Sequence, residues 1–165
     1  MTQLGACMAM ETEYGRVQGI DRIVLRGALA ETSHLSEWVQ SLAARYCVED
    51  ELQFAIHLCL EEVVSNIIRH GYAPDTAEPV TIEFSRPREG QLVFTVEDFA
   101  PPFNPLLAPE IPLLDTGGEL AIGGRGIRLL RAFAHTLEYE RIATGNRLRI
   151  GFTVTRTQGS TSLAI

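Results

Sequence analysis

Apolar residues recur along this chain in two rhythms, and each change of rhythm marks the edge of an element. "DRIVLRGAL" (Asp21–Leu29) alternates, which is the period of a strand with one buried face. "ETSHLSEWVQSLAARYC" then sets Leu35, Trp38, Val39, Leu42 and Tyr46 at the spacing of an amphipathic helix, behind Thr32 or Ser33 as N-cap. "VEDELQFAIHLCLEEVVSNIIRHG" is longer and more apolar. It opens on acidic residues that suit a helix N-terminus and closes on Gly71, expected to be its C-cap ahead of Pro74. Alternation returns in "EPVTIEFSRP" and "GQLVFTVED", two strands expected to form a hairpin through "REG".

Between Phe99 and Gly124 prolines and glycines dissolve the pattern, and so long a connection inside a domain is usually functional or mobile. "RGIRLLRAFAHT" resumes helical spacing through Ile127, Leu130 and Ala134, and "LEYERIATGNRLRIGFTVTR" predicts two more strands turning at "TGN". Strand, two helices, two strands, long loop, helix, two strands is the order of an α+β protein. A two-layer α/β sandwich is expected, with helices on one face of a mixed, mainly antiparallel sheet.

Composition narrows this. A chain of 165 residues with 45% hydrophobic content buries one real core, so a single domain is expected over 19–158, with a flexible leader at 1–18 and a C-terminal tail at 159–165. No run of eighteen apolar residues and no signal-peptide pattern occurs, so the expectation is a cytoplasmic protein with no membrane partner. Cys7, Cys47 and Cys59 are odd in number and lack a C-x-x-C pair, which predicts buried or idle thiols rather than a disulfide framework or zinc site. A net charge of −7 argues against a nucleic-acid partner. The chain contains no lysine, and all 14 positive residues are arginines. P-loop, protein-kinase-fold and Schiff-base chemistry are thereby excluded, and any phosphate must be held by backbone amides, a metal or arginine.

Three stretches carry candidate chemistry. In "EEVVSNIIRHGY", Glu62, Asn66 and His70 lie four apart and form a polar ridge on one face of the central helix. On spacing alone that ridge serves equally well as a solvated stripe or as a site. Glu61 is five residues from Asn66 and falls on another face. In "TVEDFAPPFNP", Asp98 ends a strand where it can accept a hydrogen bond from an amino group, although aspartate is also a common turn residue. In "GGRGIRLL", Gly123, Gly124 and Gly126 open a helix whose free N–H groups suit an anion; a flexible loop end is the commoner meaning of such a cluster.

Taken together and in this order, "EEVVSNIIRHGY", "DFAPPFNP" and "GGRGIRLLR" resemble the N, G1 and G2 boxes of the GHKL (histidine kinase-like) ATPase superfamily. The short chain looks most like the anti-sigma factor serine/threonine kinases within it. The resemblance covers roughly residues 20 to 156 and implies a Bergerat-type ATP-binding fold. Carried over by position, it implies that Asn66 ligates a Mg2+ bridging the ATP phosphates and that Glu62 is the catalytic base for an attacking hydroxyl. It further implies that Asp98 accepts from the adenine amino group and that Gly124 and Gly126 bring amides to the phosphates. His70, Ala100, Phe103 and Ile127 are the remaining nucleotide-site positions, and Arg125 is added as a phosphate contact because lysine is absent. The loop from about Asn104 to Gly123 becomes an ATP lid. A STAS-type anti-anti-sigma protein, a sigma factor and a second copy of the chain are the implied partners. The alternative to a kinase is a nucleotide-gated module that sequesters a regulator without catalysis. Two positions depart from the pattern: Ala100 replaces the first G1 glycine, and Asn146 stands where much of the superfamily has threonine. If adenine recognition needs a positive φ at position 100, alanine there weakens it.

Overall fold

Val80, Ile82 and Phe84 on one strand, Leu92, Phe94 and Val96 on the next, and Leu148, Ile150 and Phe152 on a third are all buried, and that shared alternation decides the architecture. The computed structural model describes residues 21–26, 32–73, 78–108 and 124–154; the expected leader, the tail and most of the expected lid lie outside them. Strands β1 (Asp21–Arg26), β2 (Pro79–Ser85), β3 (Gln91–Asp98), β4 (Thr136–Arg141) and β5 (Asn146–Thr153) form one sheet in the order β1-β2-β3-β5-β4. Every described pairing is antiparallel, so the sheet is more uniform than the mixed one expected.

Helices α1 (Thr32–Tyr46), α2 (Asp50–Asn66) and α3 (Gly124–Phe133) cover the apolar face. α1 presents Leu35, Val39 and Leu42, α2 presents Ile56, Cys59, Leu60, Val63 and Val64, and α3 presents Leu130, all buried in one core. Each fully buried leucine, isoleucine or phenylalanine contributes roughly 1.5–3 kcal/mol. Aromatic rings run through this layer: Tyr46 meets Phe84 at 5.1 Å between centroids, Phe84 meets Phe94 at 5.2 Å, and Trp38 and Phe152 each meet Phe94 edge-on at 6.0 Å. The opposite face of the sheet is charged. Arg147 bridges Glu97 at 2.7 Å and Glu140 at 3.1 Å across three strands, and Arg149 lies 3.7 Å from Glu138. A sheet apolar on one side and charged on the other needs a single helical layer, which is the expected two-layer sandwich.

The far end of α2 departs from a regular helix. At its start α2 has no side-chain cap, but Asp50 and Glu51 complement its dipole, and past Asn66 it widens into a π turn, Ile67–Gly71. The chain leaves this turn at Tyr72 in extended conformation, and Gly71 has no positive φ, so Gly71 is not the C-cap glycine the sequence predicts. Its smallness has a tertiary cause: a Cβ there would lie 2.8 Å from the Ala100 Cβ. The Tyr72 hydroxyl donates to the Pro79 carbonyl (3.0 Å) and accepts from the Phe99 N–H (3.3 Å), fastening the exit of the helix to the start of β2 and the end of β3. The expected hairpin turns are present, with Gly90 at φ +75° between β2 and β3 and an Ile142–Gly145 bonded turn between β4 and β5. Cys59 is a buried free thiol as expected, whereas Cys47 is disulfide-bonded, which corrects the expectation of idle thiols.

Candidate functional site

Three glycines bring the three sequence stretches together. At Gly126, in the first turn of α3, a Cβ would stand 2.9 Å from the Asn66 Nδ2, 2.9 Å from the Glu62 Oε2 and 3.2 Å from the Glu62 Cβ. The polar ridge of α2 is therefore no solvated stripe at Glu62 and Asn66, since the backbone of α3 lies against both side chains. Gly71 joins the end of the same ridge to Ala100. At Gly145 a Cβ would fall on the Asp98 carbonyl, so only glycine lets the β4–β5 turn close over the end of β3.

That closure builds a second, buried cluster. β3 and β5 pair so that Asp98 faces Asn146, and β4 adds Arg141 on the other side of Asn146. Asp98 is 7% and Asn146 5% exposed. The Asp98 Oδ1 accepts from the Asn146 Nδ2 (2.8 Å) and from the Ala100 N–H (2.8 Å). Burial raises the Asp98 pKa above the ordinary aspartate value. The Asn146 amide, the Ala100 and Asn146 backbone N–H groups and the Arg141 charge each pull it back. The Asn146 side-chain and Ala100 N–H bonds both fall on Oδ1, and Oδ2 keeps capacity to accept a further donor.

Of the remaining sequence-predicted positions, Ala100 is buried and has no positive φ, so the concern over backbone strain there falls away. Ile127 is buried beside Gly126. His70 is exposed within the π turn. The Phe103 ring is 59% exposed, while its N–H donates to the Asn146 Oδ1 at 3.3 Å. Gly124 is the first residue of α3, and the Arg125 side chain falls outside the described residues. The root of the expected lid is ordered by Asn104, whose side chain accepts from the Leu106 N–H at 2.9 Å, and by Arg131 of α3, which donates to the Leu106 and Ala108 carbonyls at 3.1 Å each. Sequence reasoning missed Tyr72, Tyr139 and Arg141 and noticed Asn146 only as a departure. The one signal available for it was its place directly after the turn glycine.

One antiparallel five-stranded sheet, three helices on a single face, and a long central helix touching a glycine-opened helix make up an α+β fold of the GHKL, histidine kinase-like ATPase type. Residues 25–152 match the family described as the histidine kinase-like ATPase domain, and the chain belongs to that family. It is similar to the serine/threonine-protein kinase BtrW of Bordetella bronchiseptica, 27% identical over 113 residues that cover 68% of this chain and 79% of that protein. Its fold is also that of the crystal structure of the RsbU and RsbW domains of Rv1364c from Mycobacterium tuberculosis. The TM-score is 0.60 at 15% identity, over 84% of this chain and 33% of that one, so this chain spans a third of that polypeptide. Among the described residues no helix is long and apolar enough to cross a membrane.

Proposed function

We propose that this protein is an ATP-dependent serine/threonine protein kinase of the anti-sigma type, acting on a hydroxyl of a STAS-type anti-anti-sigma partner. The observation that carries the proposal is the contact of Gly126 with both Glu62 and Asn66, which sets a carboxylate and an amide side by side at the N-terminus of a helix.

Phosphoryl transfer asks a protein for positioning and charge stabilisation more than for covalent chemistry. The residues fit that demand and fit Mg2+-ATP. Asn66 offers the hard amide oxygen that Mg2+ accepts, and the ion, when bound, neutralises phosphate charge. No three His, Cys, Asp or Glu side chains gather into a cation cage among the described residues, so phosphates and water would supply the ion's other ligands. The amides of Gly124 and Gly126 open α3 toward anions. In a chain without lysine, these amides and Arg125 take the work of holding phosphate. Glu62, one helical turn before Asn66, is the group to accept the proton of the attacking hydroxyl. Asp98 reads the base through Oδ2, with Ala100 and Ile127 as apolar neighbours of the site.

The domain is read as 19–158, and a homodimer and a sigma factor complete the proposed partners of a cytoplasmic regulator. Support for the homodimer is β1, a sheet-edge strand on which Val24 is 40% exposed. The test is transfer of labelled γ-phosphate from Mg2+-ATP to purified STAS proteins of the source genome. Wild type is expected to label one of them, and Glu62→Ala to lose about a hundredfold or more in rate while still binding nucleotide and partner. Binding without any labelling by the wild type would leave the sequestering module as the better reading.

A further inference from the structure

One side chain beside the base-reading carboxylate has every bonding position taken. The Asn146 Oδ1 accepts from the Tyr139 hydroxyl (2.8 Å), the Arg141 Nη1 (3.1 Å) and the Phe103 N–H (3.3 Å). Its Nδ2 donates to the Asp98 Oδ1 (2.8 Å), the Pro101 carbonyl (3.0 Å) and the Ala100 carbonyl (3.3 Å). Arg141 and the Phe103 N–H can only donate, and two carbonyls and a carboxylate can only accept. The amide therefore has one possible orientation: turning it over would set donor against donor and acceptor against acceptor. Arg141 reinforces the arrangement by donating to the Ala100 carbonyl as well, at 2.8 Å. The whole segment from Asp98 to Phe103 is pinned to the first residue of β5 by a single buried side chain.

We propose that Asn146 is the positioning residue that makes Asp98 selective for a 6-aminopurine, by occupying Oδ1 and holding residues 98–103 so that Oδ2 is left for the amino group. This rests on the reading of Asp98 given under the proposed function and deepens it. A carboxylate with both oxygens free to rotate accepts a donor at either one, in several geometries. With Oδ1 committed, a single oxygen faces one direction, and a base lacking the amino group leaves that oxygen unpaired, which is the arrangement that discriminates most strongly. Threonine at this position would bring one hydroxyl, whereas asparagine brings two donors and an acceptor and so ties the loop and the carboxylate together. Asp98 is faced by Arg141 from β4, by Asn146 from β5 and by Tyr72 just past the π turn; only Arg141 is charged at neutral pH, and it favours the ionised form. Removing the Asn146 donor removes the strongest of the interactions that hold the buried carboxyl ionised.

The experiment compares Mg2+-dependent binding of ATP with that of purine riboside triphosphate, the same nucleotide without its 6-amino group, from pH 5 to 8. It uses the full chain as wild type, Asp98→Asn, Asn146→Ala, Asn146→Thr and Tyr139→Phe. Wild type is expected to prefer ATP. Asn146→Ala is expected to lose about tenfold of that preference, nearly all from ATP affinity, and to lose ATP binding at a higher pH as the solution is acidified. Asn146→Thr should recover part of both effects. A variant that keeps the wild-type preference and pH profile overturns the proposal, as does one that loses both nucleotides equally, the mark of a merely structural role. Should Asn146→Ala not fold, Tyr139→Phe decides: a shift of about threefold in the same direction supports the proposal, and an unchanged preference overturns it. If wild type itself shows no preference that Asp98→Asn abolishes, the reading of Asp98 fails and the proposal with it. A preference that depends on Asp98 and is indifferent to Asn146 overturns the proposal alone.

Discussion

Gly126 lies against Asn66 so closely that a methyl group on the glycine would stand 2.9 Å from the asparagine Nδ2. α2 and α3 thus meet here with no side chain from α3 between them, although glycine inside a helix costs roughly 1 kcal/mol against alanine.

Gly126→Ala consequently separates stability from activity. The atoms the new methyl meets are mainly the ends of Glu62 and Asn66, which can rotate away, and alanine regains helix propensity. The melting temperature is expected to move by no more than about 4 °C in either direction. Phosphotransfer is expected to fall at least about tenfold, because the displaced groups are the proposed base and metal ligand. Melting curves and initial rates on one preparation check both halves; full activity in the alanine variant would count against the site.

Gly71→Ala behaves oppositely. Its methyl meets the Ala100 Cβ at 2.8 Å, and neither carbon can rotate out of the way. A loss of about 1–3 kcal/mol is expected in denaturant unfolding. The double variant Gly71→Ala/Ala100→Gly exchanges the two side chains across the contact and should recover most of the loss. Strict additivity in that cycle would mean that the two residues do not contact.

Asp98→Asn should bind ATP at least about tenfold more weakly, since a buried acceptor for the amino group becomes a donor, yet fold no less stably at pH 7. The sign follows from burial. The folded carboxyl holds its proton more tightly than the unfolded one, so its contribution to stability is most favourable below the ordinary aspartate value near 3.8. It declines as pH rises through the folded value, and above that the ionised group is a cost the variant does not carry. The stability gap between variant and wild type should therefore widen from pH 3 to pH 7. A gap of constant size would show that the Asp98 charge is not what matters.

Cys59 is fully buried, and burial, followed by the charge of Glu62, pushes its thiol up to about 12. Alkylation by iodoacetamide at pH 8 should leave it untouched in the folded protein and label it at the rate of unfolding. Saturating Mg2+-ATP should slow that labelling further through linkage. Fast labelling of the native state, read by mass spectrometry, would mean that α2 and α3 part easily.

Strand alternation and helical spacing predict every described strand and each of the three α-helices in order, because burial on one face imposes its period on the chain wherever an element forms. The spacing of Glu62 and Asn66 was legible for the same reason. The purpose of Gly71 was misread, since a glycine at a helix end has a common local explanation and here has a tertiary one. The π turn after Asn66, which carries His70, left no sequence signal.

The sequence by itself determined the elements, their order, the single apolar face of the sheet and the pair Glu62 and Asn66, all properties of neighbours along the chain. Only the tertiary structure decided which distant residues close the site. β5 enters the sheet between β3 and β4, and the register that buries Leu148, Ile150 and Phe152 sets Asn146 opposite Asp98, 48 residues away. Side-chain period fixes which face a residue takes, but its partner across the sheet follows from strand order and register, which the whole core selects at once.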